Sequence, residues 1–343
     1  ILGVLLASSL LHWIGVPPEV LAQAEAYLSL YFVGNVFVIV YNAGTGILQA
    51  VGDARHPLYF LGLASGLNIL LDILFVGVLR WEVRGAAAAT LISQAFSMVL
   101  VLRALLATHQ IYRVRIESLR IDKSVLWQII CIGVPAGMQQ MIVSFSNVIV
   151  QSYVNSFGAA TIAGYSSANK FDNFLLLPVN SFGLATTTFV GQNLGARQYG
   201  RVRKGIAAAL LLSVGTVTVL GAVVFCHAEQ CVALFSREEA VVEAGAKLIR
   251  IMCPFYGILC FHQVFTGALR ACGRSYVPMV TAIAAFVIYR QIMLALVLPR
   301  WHDIAVVGWG FSTSWVLGAA LTSLYFFASR WMKKEEQKAA NLG

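Results

Sequence analysis

Ten apolar runs dominate this sequence, at residues 1–16, 26–50, 58–79, 86–107, 125–154, 159–190, 205–226, 243–269, 276–299 and 304–331. Most are long enough to cross a hydrocarbon layer of about 30 Å at about 1.5 Å per helical residue. Each must be a helix, because backbone exposed to lipid has to satisfy its own hydrogen bonds, and the runs are too long for barrel strands. A soluble globule is excluded: 59% of the 343 residues are hydrophobic and 11% charged, whereas soluble domains are roughly 45–50% apolar. The pattern defines an all-α integral membrane protein with about ten spans, the first of them partial.

The charges between the runs set the expected orientation. With the 51–57 loop in the cytoplasm, that side collects Arg55, the five bases of 103–123, the four of 197–204, Arg270 and Arg274, and the four of 330–338, sixteen of the 24 lysines and arginines. The positive-inside rule then predicts a multi-pass protein of the cell inner (plasma) membrane with a cytoplasmic C-terminus. The net charge of +9 is explained by membrane topology, and no nucleic-acid partner is needed to account for it. Four of the six cysteines, Cys131, Cys253, Cys260 and Cys272, lie within apolar runs and read as small hydrophobes. Cys226 and Cys231 flank a short polar loop, where pairing is open.

Residues 46–57, GILQAVGDARHP, repeat as 267–278, GALRACGRSYVP, with five identities in twelve columns at an offset of 221. Six spans separate the copies, an even number, so the repeat is parallel and implies two pseudo-symmetric six-helix bundles. The expected organisation is an incomplete N-terminal lobe over 1–107, an amphipathic cytoplasmic linker over 108–124, a C-terminal lobe over 125–331 and a cytoplasmic tail over 332–343. The same offset places about two and a half further spans ahead of Ile1, giving twelve in all, and leads to the expectation that 1–343 alone does not transport.

Few residues in the runs are polar enough to carry chemistry. Asp72 is the only carboxylate deep in a span of the first half, with Asn68 one turn earlier on the same face. An ionisable group at that depth costs at least ~2.5 kcal/mol, so it is paired or neutralised by a proton. Thr90, Asn42 and Tyr27 on neighbouring spans can complete a hydrogen-bond network; the bland alternative is a structural Asn/Asp pair. In the second half Lys170, Asp172, Asn173 and Asn180 share one span, with Gln139, Gln140 and Asn147 on another and His262 and Gln263 on a third. Residues two apart do not face each other on a helix, so Lys170 and Asp172 should have separate partners. His262 reads first as a hydrogen-bonded interior histidine. Absence of Gly-Lys-Ser/Thr, HExxH and GxSxG motifs argues against an ATPase or an intramembrane hydrolase, so no enzyme, cofactor or metal is expected.

The stretch 158–205, above all Val190-Gly191-Gln192-Asn193-Leu194-Gly195-Ala196, resembles the multidrug and toxic compound extrusion (MATE) family. Gly133–Gly137 (GVPAG), QAVGDARHP and Asn68-x-x-x-Asp72 are similar to other landmarks of that family, and the likeness looks closest to its DinF-like branch, without the first two spans. Gln49 and Arg274 depart from the Arg and Asp common in the repeat motif. The resemblance implies proton-coupled antiport of amphiphilic, often cationic, organic compounds by alternating access, with Asp72, Asn68, Thr90, Asn42 and Tyr27 at the coupling site. It makes the GQNLGAR segment a cytosolic loop whose glycines allow a tight turn and whose Arg197 anchors topology. Spans aligned with the family's C-lobe cation site offer no acid, so protons are favoured over Na+. Expected partners are small organic substrates and membrane lipid, with the chain a monomer. A flippase for lipid-linked saccharides, on a related two-bundle plan, is the main alternative; a membrane enzyme or scaffold is another.

Overall fold

The computed structural model describes residues 18–332, 336 and 337, with the side chains of 18–20, 22, 23, 26 and 27 excepted. The expected first span, 1–16, and most of the expected tail lie outside the described residues. Twelve α-helices follow in order: α1 Pro18–Ala50, α2 Arg55–Asp72, α3 Glu82–Ala107, α4 Lys123–Val154, α5 Ala159–Gly195, α6 Tyr199–Cys226, α7 Ala228–Ala233, α8 Glu239–Met252, α9 Tyr256–Ala271, α10 Tyr276–Ala282, α11 Arg290–Val297 and α12 Ala305–Ala328. Two π-helical segments interrupt this order, Ile73–Val78 directly after Asp72 and Ile283–Tyr289 directly before Arg290. Among the described residues nine helical stretches are long and apolar enough to span a membrane, and they coincide with the nine apolar runs from 26 onward. No strand occurs among the described residues.

Burial runs opposite to that of a soluble protein. Leu211 (76% exposed), Leu324 (69%) and Phe327 (69%) face outward, while Ser146, Ser213, Ser312, Ser314 and Thr322 are fully buried. Lipid solvates the large side chains as well as a core would, so helices associate through small and hydroxylated residues that allow close approach. Most buried hydroxyls donate to a carbonyl one turn earlier on their own helix, as Ser314 does to Phe311 and Thr186 to Phe182, which satisfies those donors without a partner helix.

Two compact units are separated between Arg120 and Ile121. In the first, α3 packs against both α1 and α2, with Leu48, Val101 and Leu105 at the centre. In the second, α5 is surrounded by α6, α8 and α9, and α9 packs in turn on α12. One core cluster there joins Val150, Leu175, Leu248 and Trp315; another, towards the opposite end of α5, joins Val190, Val202, Leu269, Phe326 and Trp331. Segment 108–122 is irregular apart from a 3₁₀ turn at Ile116–Ser118. Asp122 caps α4 by accepting from Ser124 N (2.7 Å) and Val125 N (3.2 Å), and these backbone bonds hold its carboxyl below the ordinary range. Cys226 and Cys231 are separate thiols.

The sequence repeat is also a repeat of backbone geometry. Gly52 (φ 88°) and Gly273 (φ 73°) both adopt the left-handed conformation that ends a helix. Gly52 N donates to Gln49 O and Asp53 N to Leu48 O, each at 2.9 Å; Gly273 N to Arg270 O and Arg274 N to Leu269 O repeat the pair at 2.9 Å. The next helices start at Arg55 and Tyr276, and Pro57 and Pro278 are buried in their first turns. Gly273→Ala should therefore cost about 1 kcal/mol, seen as a lower melting temperature of the purified protein; an unchanged melt would refute the strained-turn reading.

The GQNLGAR segment corrects the sequence expectation. Residues 190–195 continue α5, and the turn is made by Arg197, a non-glycine residue at φ 55°. Gln198 N donates to Asn193 O at 2.8 Å and Arg197 N to Leu194 O at 3.0 Å, closing the helix end. Asn193, buried in the last turns, donates its amide to Phe189 O at 2.8 Å.

Candidate functional site

In the first unit, Asn68 and Asp72 are brought together as the last turn of α2. Asn68 Nδ2 and Asp72 Oδ1 are buried, and neither has a hydrogen-bond partner among the described residues. Leaving such a group unpaired costs about 1–3 kcal/mol, and the helix distorts into its π segment immediately afterwards. Of the other expected residues, Thr90 and Asn42 make no described contact with this pair. Thr90 donates to Ala86 O of its own helix at 2.9 Å and lines a small pocket with Leu30, Tyr31, Ala87, Leu91 and Gln94. Asn42 is exposed, and the Tyr27 side chain lies outside the described residues.

The second unit holds a polar cleft of about 500 Å³. Gln139, Gln140, Asn147, Asp172, Asn173, Asn180, His262 and Gln263 all line it, together with Ser144, Arg290 and an apolar wall that includes Leu176, Phe286, Phe311 and Trp315. Tyr256, from α9, donates its hydroxyl to Asp172 Oδ1. Gln263 Nε2 donates to Asn180 Oδ1 at 2.5 Å, and Arg270 Nη2 to Gln139 Oε1 at 2.8 Å. His262 is fully buried; its Nδ1 pairs with Thr322 Oγ1 at 2.9 Å, while Nε2 has no described partner. Lys170 corrects the expectation, since it does not line the cleft. Two residues before Asp172 on α5, it projects from a different side of the helix and sits over the Phe235 ring at 4.0 Å from the centroid. The lysine and the aspartate thus have separate partners.

Arg290 and its surroundings were not assembled by sequence reasoning. It is 2% exposed and stands at the start of α11, where the π segment re-aims the chain. Arg290 Nη2 donates to Ser146 Oγ (2.9 Å) and Asn147 Oδ1 (2.7 Å) on α4, and the guanidinium lies 4.6 Å over the Phe311 ring. Ser146 donates to Phe286 O, a carbonyl within the π segment (3.1 Å), and accepts from Gln291 Nε2 (2.7 Å). The one available signal was an arginine in the middle of an apolar run, which costs at least ~2.5 kcal/mol in a bilayer unless it faces a polar interior.

A two-unit, all-helical membrane protein with unpaired charges inside its spans is the architecture of a small-molecule transporter. Comparison with known proteins gives the family. The family described as MatE matches residues 1–74 and 135–297, and the chain belongs to it; members are transporters and not enzymes. It is 26% identical over 333 residues to the probable multidrug resistance protein YpnP of Bacillus subtilis, covering 96% of this chain and 73% of that protein. It is 24% identical to the probable multidrug resistance protein NorM of Thermotoga maritima, covering 92% of this chain and 69% of that one. A crystal structure of MATE in the bent conformation superposes with a TM-score of 0.89 at 21% identity, over 97% of this chain and 75% of the other. The fold reading therefore holds.

Proposed function

We propose that this protein is a secondary active multidrug efflux transporter that exchanges amphiphilic, often cationic, organic compounds for protons by alternating access. Efflux of multiple drugs is supported by the relatives named as multidrug resistance proteins. The observation that carries proton coupling is the Asn68–Asp72 pair, an acid and an amide one turn apart within a span, each with a buried polar atom that no described residue satisfies. An ionisable side chain placed within a span is costly there and is kept for a function such as proton exchange. The family resemblance, rather than a described contact, assigns Thr90, Asn42 and Tyr27 to the same coupling site, and the cleft of the second unit is assigned to substrate.

The test, made on the full-length protein, is uptake of a fluorescent organic cation into proteoliposomes under a proton gradient, a sodium gradient or ATP. Uptake with the proton gradient alone is expected; uptake driven by sodium would overturn the coupling, and uptake requiring ATP the secondary mechanism. The flippase alternative is disfavoured because a pyrophosphate needs several cations, and Arg290 is the only lysine or arginine among the described lining residues.

A further inference from the structure

Arg290 carries more recognition capacity than its structural contacts use. Both of its hydrogen bonds leave from Nη2, to the neutral acceptors Ser146 Oγ and Asn147 Oδ1. Nε is buried without a partner, although a guanidinium offers five donors. Among the described residues no carboxylate oxygen lies within 4.0 Å of an Arg290 nitrogen. Asp172 lines the same cleft but is engaged by Tyr256. The cleft thus contains a fixed cation that no described carboxylate contacts directly, Asp172 acting on it only through space, with free donors beside an aromatic wall of Phe286, Phe311 and Trp315. A residue serving only as a strut between α4 and α11 would not need a charge, since Gln291 already bridges the same helices through Ser146.

From this geometry we propose that the cleft takes amphiphiles in which an aromatic body bears a single carboxylate, with Arg290 as the receptor for that carboxylate. This deepens the transporter reading and rests on it: the substrate range extends from organic cations to organic monoanions. The limit to one negative charge follows from Asp172, which repels a second one across the same space. A volume of about 500 Å³ suits a molecule of drug size. A desolvated, charge-assisted hydrogen bond of this kind raises affinity by about tenfold or more over a neutral isostere.

The experiment compares equilibrium binding of pyrenebutyrate and pyrenebutyramide to the purified protein in phosphatidylcholine nanodiscs, with no gradient applied. The carboxylate should bind at least tenfold more tightly than the amide. Arg290→Gln should bring that ratio close to one, and Asp172→Asn should increase it. A ratio near one in the unaltered protein overturns the proposal even if Arg290→Gln fails to fold, and so does a preference that survives Arg290→Gln. Because no gradient is involved, loss of proton coupling leaves this result intact; tight carboxylate binding without gradient-driven movement would instead defeat the transporter reading.

Discussion

Asp72→Asn is expected to reduce proton-driven efflux to the level of protein-free liposomes while leaving the yield and melting temperature of the protein unchanged. The substitution keeps the shape of the side chain and removes only its ability to take up and release a proton. Stability should not suffer, because the carboxylate makes no compensating bond: its Oδ1 is buried without a described partner, as is the amide of Asn68. The neighbours Ile69, Leu70 and Ile73 are 60%, 66% and 60% exposed, so the pair sits on a helix whose remaining surface is built for lipid. In such a setting a charged group costs at least ~2.5 kcal/mol, and that penalty is relieved in whichever conformation admits water. The assay is the rate at which an imposed proton gradient drives a fluorescent cation across the membrane, with Asp72→Glu as the companion variant that restores a titrating group. Efflux by Asp72→Asn at the normal rate would show that the coupling proton is carried elsewhere.

The spans were legible because lipid leaves a chain few choices: an apolar run of sufficient length must be helical, and the nine described spans begin and end close to the apolar runs. The repeat was legible for a similar reason, since Gly52 and Gly273 occupy a backbone conformation that other residues enter only under strain. What the sequence did not disclose is rotation about each helix axis. In a soluble helix the apolar stripe marks the buried face, but here Leu211 and Leu324 face outward while equally apolar residues such as Leu175 and Leu248 face inward. Polar residues were the better guide, which is why the amides of α4, α5 and α9 were found to share a cleft. Lys170 broke that rule by pairing with an aromatic ring, and the role of Arg197 as a turn residue has no side-chain signature at all.

Gly267→Val should prevent the second unit from assembling, and even Gly267→Ala should lower its stability severely. A Cβ added at Gly267 would lie 2.3 Å from the carbonyl oxygen of Gly183 and 3.1 Å from Thr187 Oγ1. The first of these is backbone, so no rotamer change relieves the clash; α9 and α5 would have to separate. Their contact also fixes the site, since Gln263–Asn180 and Tyr256–Asp172 both bridge these two helices. Overpacking of this kind costs about 3 kcal/mol or more when the obstruction is main chain, a large share of the roughly 5–15 kcal/mol that holds a folded protein together. Gly215 provides the control: it is exposed on α6, and no described atom lies within 4 Å of an added Cβ. Gly215→Ala should therefore be neutral, or stabilising by up to about 1 kcal/mol through helix propensity. Size-exclusion profiles and thermal melts of the three variants in detergent test this directly. A Gly267→Ala protein that elutes and melts like the unaltered chain would mean that α5 and α9 do not cross at Gly183 and Gly267, and the cleft built on that crossing would have to be redrawn.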